Sequence, residues 1–188
     1  SFWDAGEYIV SSAKLGVTHA PGAATFQLIG AVWSGLAFGD GSLYAILINA
    51  LSAICSALTI LFLFWTLTHF ARRILMTSND EVIEGNNKWV ILLTGIVGSA
   101  AFMFSDSFWF SAVEGEVYAM ASMFTALMLW LACKWENDAG KYRENKWVVL
   151  IALLVGLSTG VHLMAILVVP ALCYIYYFRH YDFTWNSF

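Results

Sequence analysis

Thirty consecutive residues, from Ser42 to Ala71, contain no Asp, Glu, Lys or Arg. A run of that length leaves few folds open. As a helix it exceeds the roughly 30 Å of a bilayer's hydrocarbon core, and in lipid only helices and closed barrels satisfy their own backbone polar groups. Composition points the same way: 60% of the 188 residues are hydrophobic and 12% charged, about half the charged share of a soluble domain. Membrane lipid is therefore the expected solvent. The net charge of −4, with no basic stripe, gives no footing for nucleic acid.

Four further apolar stretches follow. WVILLTGIVGSAAFMFS runs from Lys88 to Asp106, and VYAMASMFTALMLWLAC from Val117 to Cys133. The segment from Trp147 to Phe178 has 32 residues, about 48 Å as one helix. It must break, and Gly156, Gly160 and His162 place the break near His162, with Pro170 bending the second half. The expectation is an all-α, polytopic transmembrane helical bundle of about five spans in residues 42–188. Residues 1–41 are expected to form an outer loop with two amphipathic or juxtamembrane helices, DAGEYIVSSAKLGV and PGAATFQLIGAVWSGLAFG, joined at THAPG. Gly35 with Gly39, and Gly156 with Gly160, have the spacing of close helix contacts. Cys55, Cys133 and Cys173 lie in apolar runs without metal-ligand spacing and read as packing thiols. The chain opens at Ser1 without Met or a leader-like segment, so it is expected to be part of a longer protein.

Threading the spans alternately puts Arg72, Arg73, Lys88, Lys134, Lys141, Arg143, Lys146 and Arg179 on one side and only Lys14 on the other. By the positive-inside rule the first side is cytoplasmic. The expected setting is a bacterial inner membrane, with the active face periplasmic. That outer face collects Asp4, Glu7, His19, Asp40, Asp106, Glu114, Glu116 and His162.

Asp4 and Glu7 are three apart and share a helix face; a carboxylate pair can divide acid and base roles between its members. Asp106, Glu114 and Glu116 flank an aromatic stretch at membrane level, where acids are costly unless paired, liganded or wet. They are candidates for positioning an acceptor or a hard divalent cation such as Mg²⁺ or Mn²⁺. Phe108, Trp109, Phe110 and Tyr118 read as interfacial anchors. His19 and His162 stand at the same expected height and are candidates for holding a phosphate. No Ser-His-Asp order, HExxH, phosphate loop or CxxC is present.

The pieces WDAGEY with HAPG, SAVEGEVYAM and the weaker GLSTGVHLM occur in an order that resembles the protein O-mannosyltransferase-like membrane family, glycosyltransferase family 117. The likeness runs over nearly the whole chain and corresponds to that family's N-terminal portion. Where the family's usual motif reads His-Pro-Pro-Gly, this chain has His19-Ala20-Pro21-Gly22. The resemblance implies a GT-C fold and an inverting transfer of a sugar, mannose or a similar hexose. The donor would be a polyprenyl-phosphate carrier and the acceptor a hydroxyl of an exported protein. It carries the first-loop catalytic acid onto Asp4, with Glu7 as its companion. A proton- or cation-coupled transporter and a non-catalytic membrane subunit are the competing expectations.

Overall fold

The computed structural model describes residues 4–75, 85–140, 142 and 145–181, and within them all regular structure is helical. Lys141 and Arg143 lie outside the described residues. The helices are α1 (Ala5–Lys14), α2 (Ala24–Ser34), α3 (Tyr44–Leu75), α4 (Asn87–Met103), α5 (Asp106–Ala112), α6 (Val117–Asp138), α7 (Asn145–Thr159) and α8 (Val169–His180), with 3-10 turns at 35–37, 41–43 and 163–168.

The uncharged run is α3, the longest helix. Its buried residues Ile48, Leu51, Ser52, Cys55, Ser56 and Thr59 recur at helical spacing and form one stripe, which packs on α6. α6 is the centre of the bundle: Met120, Phe124, Met128 and Leu131 are buried along most of its length. α4 lies on the other flank of α3, burying only Ile91, Gly95 and Ser99. A Cβ at Gly95 would come within 2.8 Å of the Phe64 ring, so side chains of α3 pack directly on the α4 backbone there. The glycines expected to do this, Gly35, Gly39 and Gly156, face open space, and of the two expected pairs only Gly160 is crowded, against Thr25.

Three helices are long and apolar enough to cross a membrane: α3 with its preceding turn, α6, and the segment 163–180. A fourth arises if α4 and α5, bent by 73°, count as one. The count of about five included α7, but at 15 residues it is about 22 Å long, short of the hydrocarbon thickness. The break near His162 is present: α7 ends at Thr159, and a 3-10 turn leads into α8. Pro170 does not bend a helix. It sits in the first turn of α8, where its missing N–H has no partner to lose.

Charge is sorted by helix end. Where α3 and α6 finish, Arg73 donates to Glu136 at 2.7 Å, and His69 lies 3.3 Å from the same carboxylate. Asp138 meets Trp147 Nε1 at 2.8 Å and Lys146 at 3.7 Å, and Arg179 of α8 reaches the Ala139 carbonyl at 3.5 Å. Asp4, Glu7, Glu114 and Glu116 stand where α1 and α6 begin.

Candidate functional site

The acidic end is built by backbone devices at three helix starts. Asp4 precedes α1, and its carbonyl accepts from Tyr8 N–H at 3.0 Å. α1 stops at Leu15, which takes a left-handed conformation, and Gly16 N–H returns to Ser11 O at 2.8 Å. The chain then crosses to α2 through the His19 turn, closed by Gly22 N–H to His19 O at 2.8 Å. Gln27 of α2, its amide oriented by the groups around it, donates to Gly16 O and accepts from Thr18 N–H at 3.0 Å. Tyr8 packs edge-on against both Phe26 and the His19 ring. These contacts hold His19 over α1.

His19 is thereby set between the two α1-side acids. Its N–H donates to Glu7 Oε1 at 2.6 Å, Nδ1 lies 2.9 Å from Oε2, and Nε2 is 3.7 Å from Asp4 Oδ2. The hydrogen bonds from His19 hold the Glu7 carboxyl below its ordinary value, and the same contact holds the imidazole above its own. Asp4, Glu7 and His19 present ligand atoms all within 4.8 Å of one another. Two carboxylates and an imidazole suit Mn²⁺ better than Mg²⁺, although the Glu7–His19 hydrogen bond already joins the trio without an ion.

The second part comes from the start of α6. Glu114, Gly115 and Glu116 form a tight turn, Glu116 N–H to Glu114 O at 2.8 Å. A Cβ on Gly115 would lie 2.9 Å from both Asn49 Oδ1 and Ile48 Cγ2, so only glycine lets this turn sit directly on α3. Glu116 is pressed into the protein, 7% exposed, and its Oε1 has no hydrogen-bond partner among the described residues. Burial, with Glu114 and Asp4 nearby, raises its pKa, against an opposing pull from the backbone N–H groups of Ala5 and Asp4. Burial disfavours the charged form of such a carboxyl.

Asp4, Glu114 and Glu116 line one cavity of about 320 Å³, walled by Phe110, Ser111 and Tyr118. Tyr118 also packs on the His162 ring, centroids 5.3 Å apart. His162 Nδ1 accepts from Met164 N–H at 3.1 Å, which leaves the neutral ring's proton on Nε2. Thr25 N–H donates to Gly160 O at 2.8 Å, pinning the His162 break to the start of α2. Asp4, Glu7, His19, Glu114, Glu116 and His162 thus share one end of the bundle. Asp106 is not among the residues that line the cavity; it begins α5 and is exposed. α5 itself was unforeseen. It turns Phe108 inward onto Phe102 and carries Phe110 and Ser111 to the cavity. Tyr118, read as an interfacial anchor, is a cavity wall. Its position two residues after Glu116, at the first turn of α6, was the available signal.

An all-α membrane bundle with a carboxylate-lined cavity at one end is the class that this fold and site define. Residues 4–185 match the family described as protein O-mannosyl-transferase TMEM260 N-terminal domain, and the chain belongs to that family. It is 26% identical over 195 residues to protein O-mannosyl-transferase tmem260 of Dictyostelium discoideum, an alignment covering 97% of this chain and 21% of that protein. The chain therefore spans about a fifth of the length of this curated relative. No solved structure matches significantly.

Proposed function

We propose that this chain is the base-bearing part of a membrane glycosyltransferase that moves a hexose, mannose by family, from a polyprenyl-phosphate carrier to a hydroxyl of a protein acceptor. The observation that carries this reading is that Asp4 shares one cavity with Glu114 and Glu116, more than a hundred residues away in the chain. Transfer requires a base within reach of the acceptor hydroxyl and a donor to the departing phosphate. Asp4, half exposed at the cavity, takes the hydroxyl proton. The hydroxyl oxygen bonds to the anomeric carbon as the carbon–oxygen bond to phosphate breaks, and the bonding pair leaves on the phosphate. Displacement from the opposite side inverts the anomeric centre.

Glu7 fixes His19 beside Asp4. Glu116 and Glu114 accept hydrogen bonds from hydroxyls of the acceptor or the sugar. Phe110 and Tyr118 offer flat apolar faces to a hexose ring. His162, with its proton on Nε2, is the candidate donor to the leaving phosphate, with His19 the alternative. The acids lie at helix ends, which supports this reading over a transporter, whose ionisable groups belong near the bilayer midplane. The acidic end then faces away from the cytoplasm, toward a periplasm in a bacterium or a lumen in a eukaryote.

The test is transfer by the full-length protein from polyprenyl-phosphate mannose to an acceptor peptide. Asp4→Asn is expected to abolish product while membrane insertion stays normal; undiminished transfer would overturn the assignment.

A further inference from the structure

Tyr118 walls the acidic cavity and also heads a second, apolar one of about 300 Å³ that runs down between α3 and α6. On α6 the lining begins at Tyr118 and recurs at i+3, i+4, i+7, i+8 and i+11, as far as Leu129, which is the stripe of one helix face. Leu129 lies eleven residues beyond Tyr118, so the slot is about 16 Å deep, roughly half the hydrocarbon thickness. Thr59 and Thr66 of α3 face it, yet each hydroxyl donates within its own helix, to Cys55 O and Phe62 O at 2.9 Å. Their hydroxyl protons are therefore already engaged. Ala121, Ala126 and Ala165 keep the space open by their small size, and exposed Phe102 and Met164 flank its side. A void of this size between packed helices is costly when empty.

We propose that this slot holds the isoprene units nearest the phosphate of the polyprenyl-phosphate donor, and that its small residues set which carrier chains the protein accepts. The inference rests on the transferase reading of the acidic cavity. Continuity with that cavity selects the occupant. Tyr118 belongs to both spaces, its ring packs on His162, the candidate donor to the leaving phosphate, and Met164 and Ala165, two and three residues beyond His162, line the slot. A carrier whose phosphate meets His162 has its chain at the slot's mouth. An isoprenoid is apolar along its length and matches a wall that is mostly apolar. It also has a single chain to bury, whereas an ordinary phospholipid has two. Burying the chain here would fix the height of the anomeric carbon against Asp4, so that binding far from the reacting bond orients it.

Binding and transfer by the full-length protein in detergent test the slot separately. In native mass spectrometry, Ala126→Trp is expected to weaken retention of polyprenyl phosphate about tenfold or more, as overpacking an apolar site does. Val97→Trp, the same bulk on the exposed face of α4, leaves it unchanged. Ala126 lies about 12 Å below Tyr118 along α6, out of reach of a short chain. In transfer assays Ala126→Trp should therefore raise KM for polyprenyl-phosphate mannose and not for citronellyl-phosphate mannose, which also reports whether the variant folds. Should it not fold, the smaller block Ala126→Leu is expected to cost about fivefold with the long donor. Unchanged retention in both Ala126 variants, the result if an ordinary bilayer lipid fills the slot, overturns the proposal, as does an equal rise in KM for the two donors. Carrier binding that responds to Ala126 without any sugar transfer by the unaltered protein would uphold the slot and overturn the transferase reading instead.

Discussion

The two ends of α6 hold their carboxylates in opposite ways. Glu136 and Asp138, where the helix finishes, each have cationic or N–H partners from neighbouring helices. Glu116, where it begins, is the more deeply buried and has an oxygen with no partner, and Asp4 and Glu114 around it add like charge. A protein that only needed to fold would neutralise the buried acid first, because an unpaired buried ionisable group is the costlier one. The end whose acids meet cations and N–H groups of neighbouring helices reads as structure, and the end that crowds like charges around a buried carboxyl reads as a site.

The sharpest way to break this contrast is to remove one acid at each end. Asp4→Asn is expected to lower sugar transfer by the full-length protein about 10²- to 10⁴-fold, the usual contribution of a positioned base. Asp138→Asn should leave it unchanged. Comparable losses in the two variants would erase the distinction between the ends.

Glycines offer a second comparison, because each end turns on one for a different reason. Gly115 is needed for space: a Cβ there meets Asn49 and Ile48, lifting Glu114 and Glu116 off α3. Gly115→Ala should cost about tenfold or more in transfer, since small displacements of positioning groups are expensive. Gly140 is needed for conformation, with φ at +84° and open space around it. Gly140→Ala should cost about 1 kcal/mol of stability and nothing in rate. Transfer assays alongside thermal melts separate the two.

Stability should respond in the reverse sense. Glu136→Gln strips Arg73 and His69 of their shared partner, and at these partly buried positions this is worth about 1 kcal/mol. Glu116→Gln removes a carboxyl whose charged form is opposed by burial and by Glu114 and Asp4, so the melting temperature should fall less than in Glu136→Gln. A larger fall in Glu116→Gln would mean that its ionised form, held by the Asp4 and Ala5 N–H groups, is the structural one.

The bundle was legible because lipid makes composition decisive: uncharged runs gave α3, α6 and the break near His162. The gathering of Glu7, His19, Glu114 and Glu116 at one end followed from their lying in the segments between spans. What sequence could not supply was the direction of short elements. α5 is only seven residues long with three aromatics in a row, so the expectation treated Phe108 and Phe110 alike, whereas helical spacing sends one into the core and the other to the cavity. Asp106 was grouped with Glu114 and Glu116 by proximity in the chain, yet it is not among the residues that line their cavity. Likewise α7 has span-like composition and lacks only length, a boundary set by hydrogen bonds from Val161 and His162 to Ser158.

The finest test concerns the one pairing the acidic end does make. Glu7 is held below its ordinary 4.5 and His19 above its ordinary 6.5, each by the other. The lowered acid contributes stability above 4.5 that is lost as pH falls through its folded value. The raised imidazole contributes stability below 6.5 that is lost as pH rises through its own. The His19 turn should therefore be best ordered between the two folded values, a range that includes pH 4.5 to 6.5. Both groups are exposed, so the effect is local rather than global. In a ¹³C-histidine NMR titration of the full-length protein, the His19 resonance should titrate above 6.5 and return toward that value in Glu7→Gln. If His19 titrates identically in both, the pair does not form in solution and Asp4 stands without its organised neighbour. The acidic end would then lack its imidazole pairing, and the contrast with Glu136 would be sharper still.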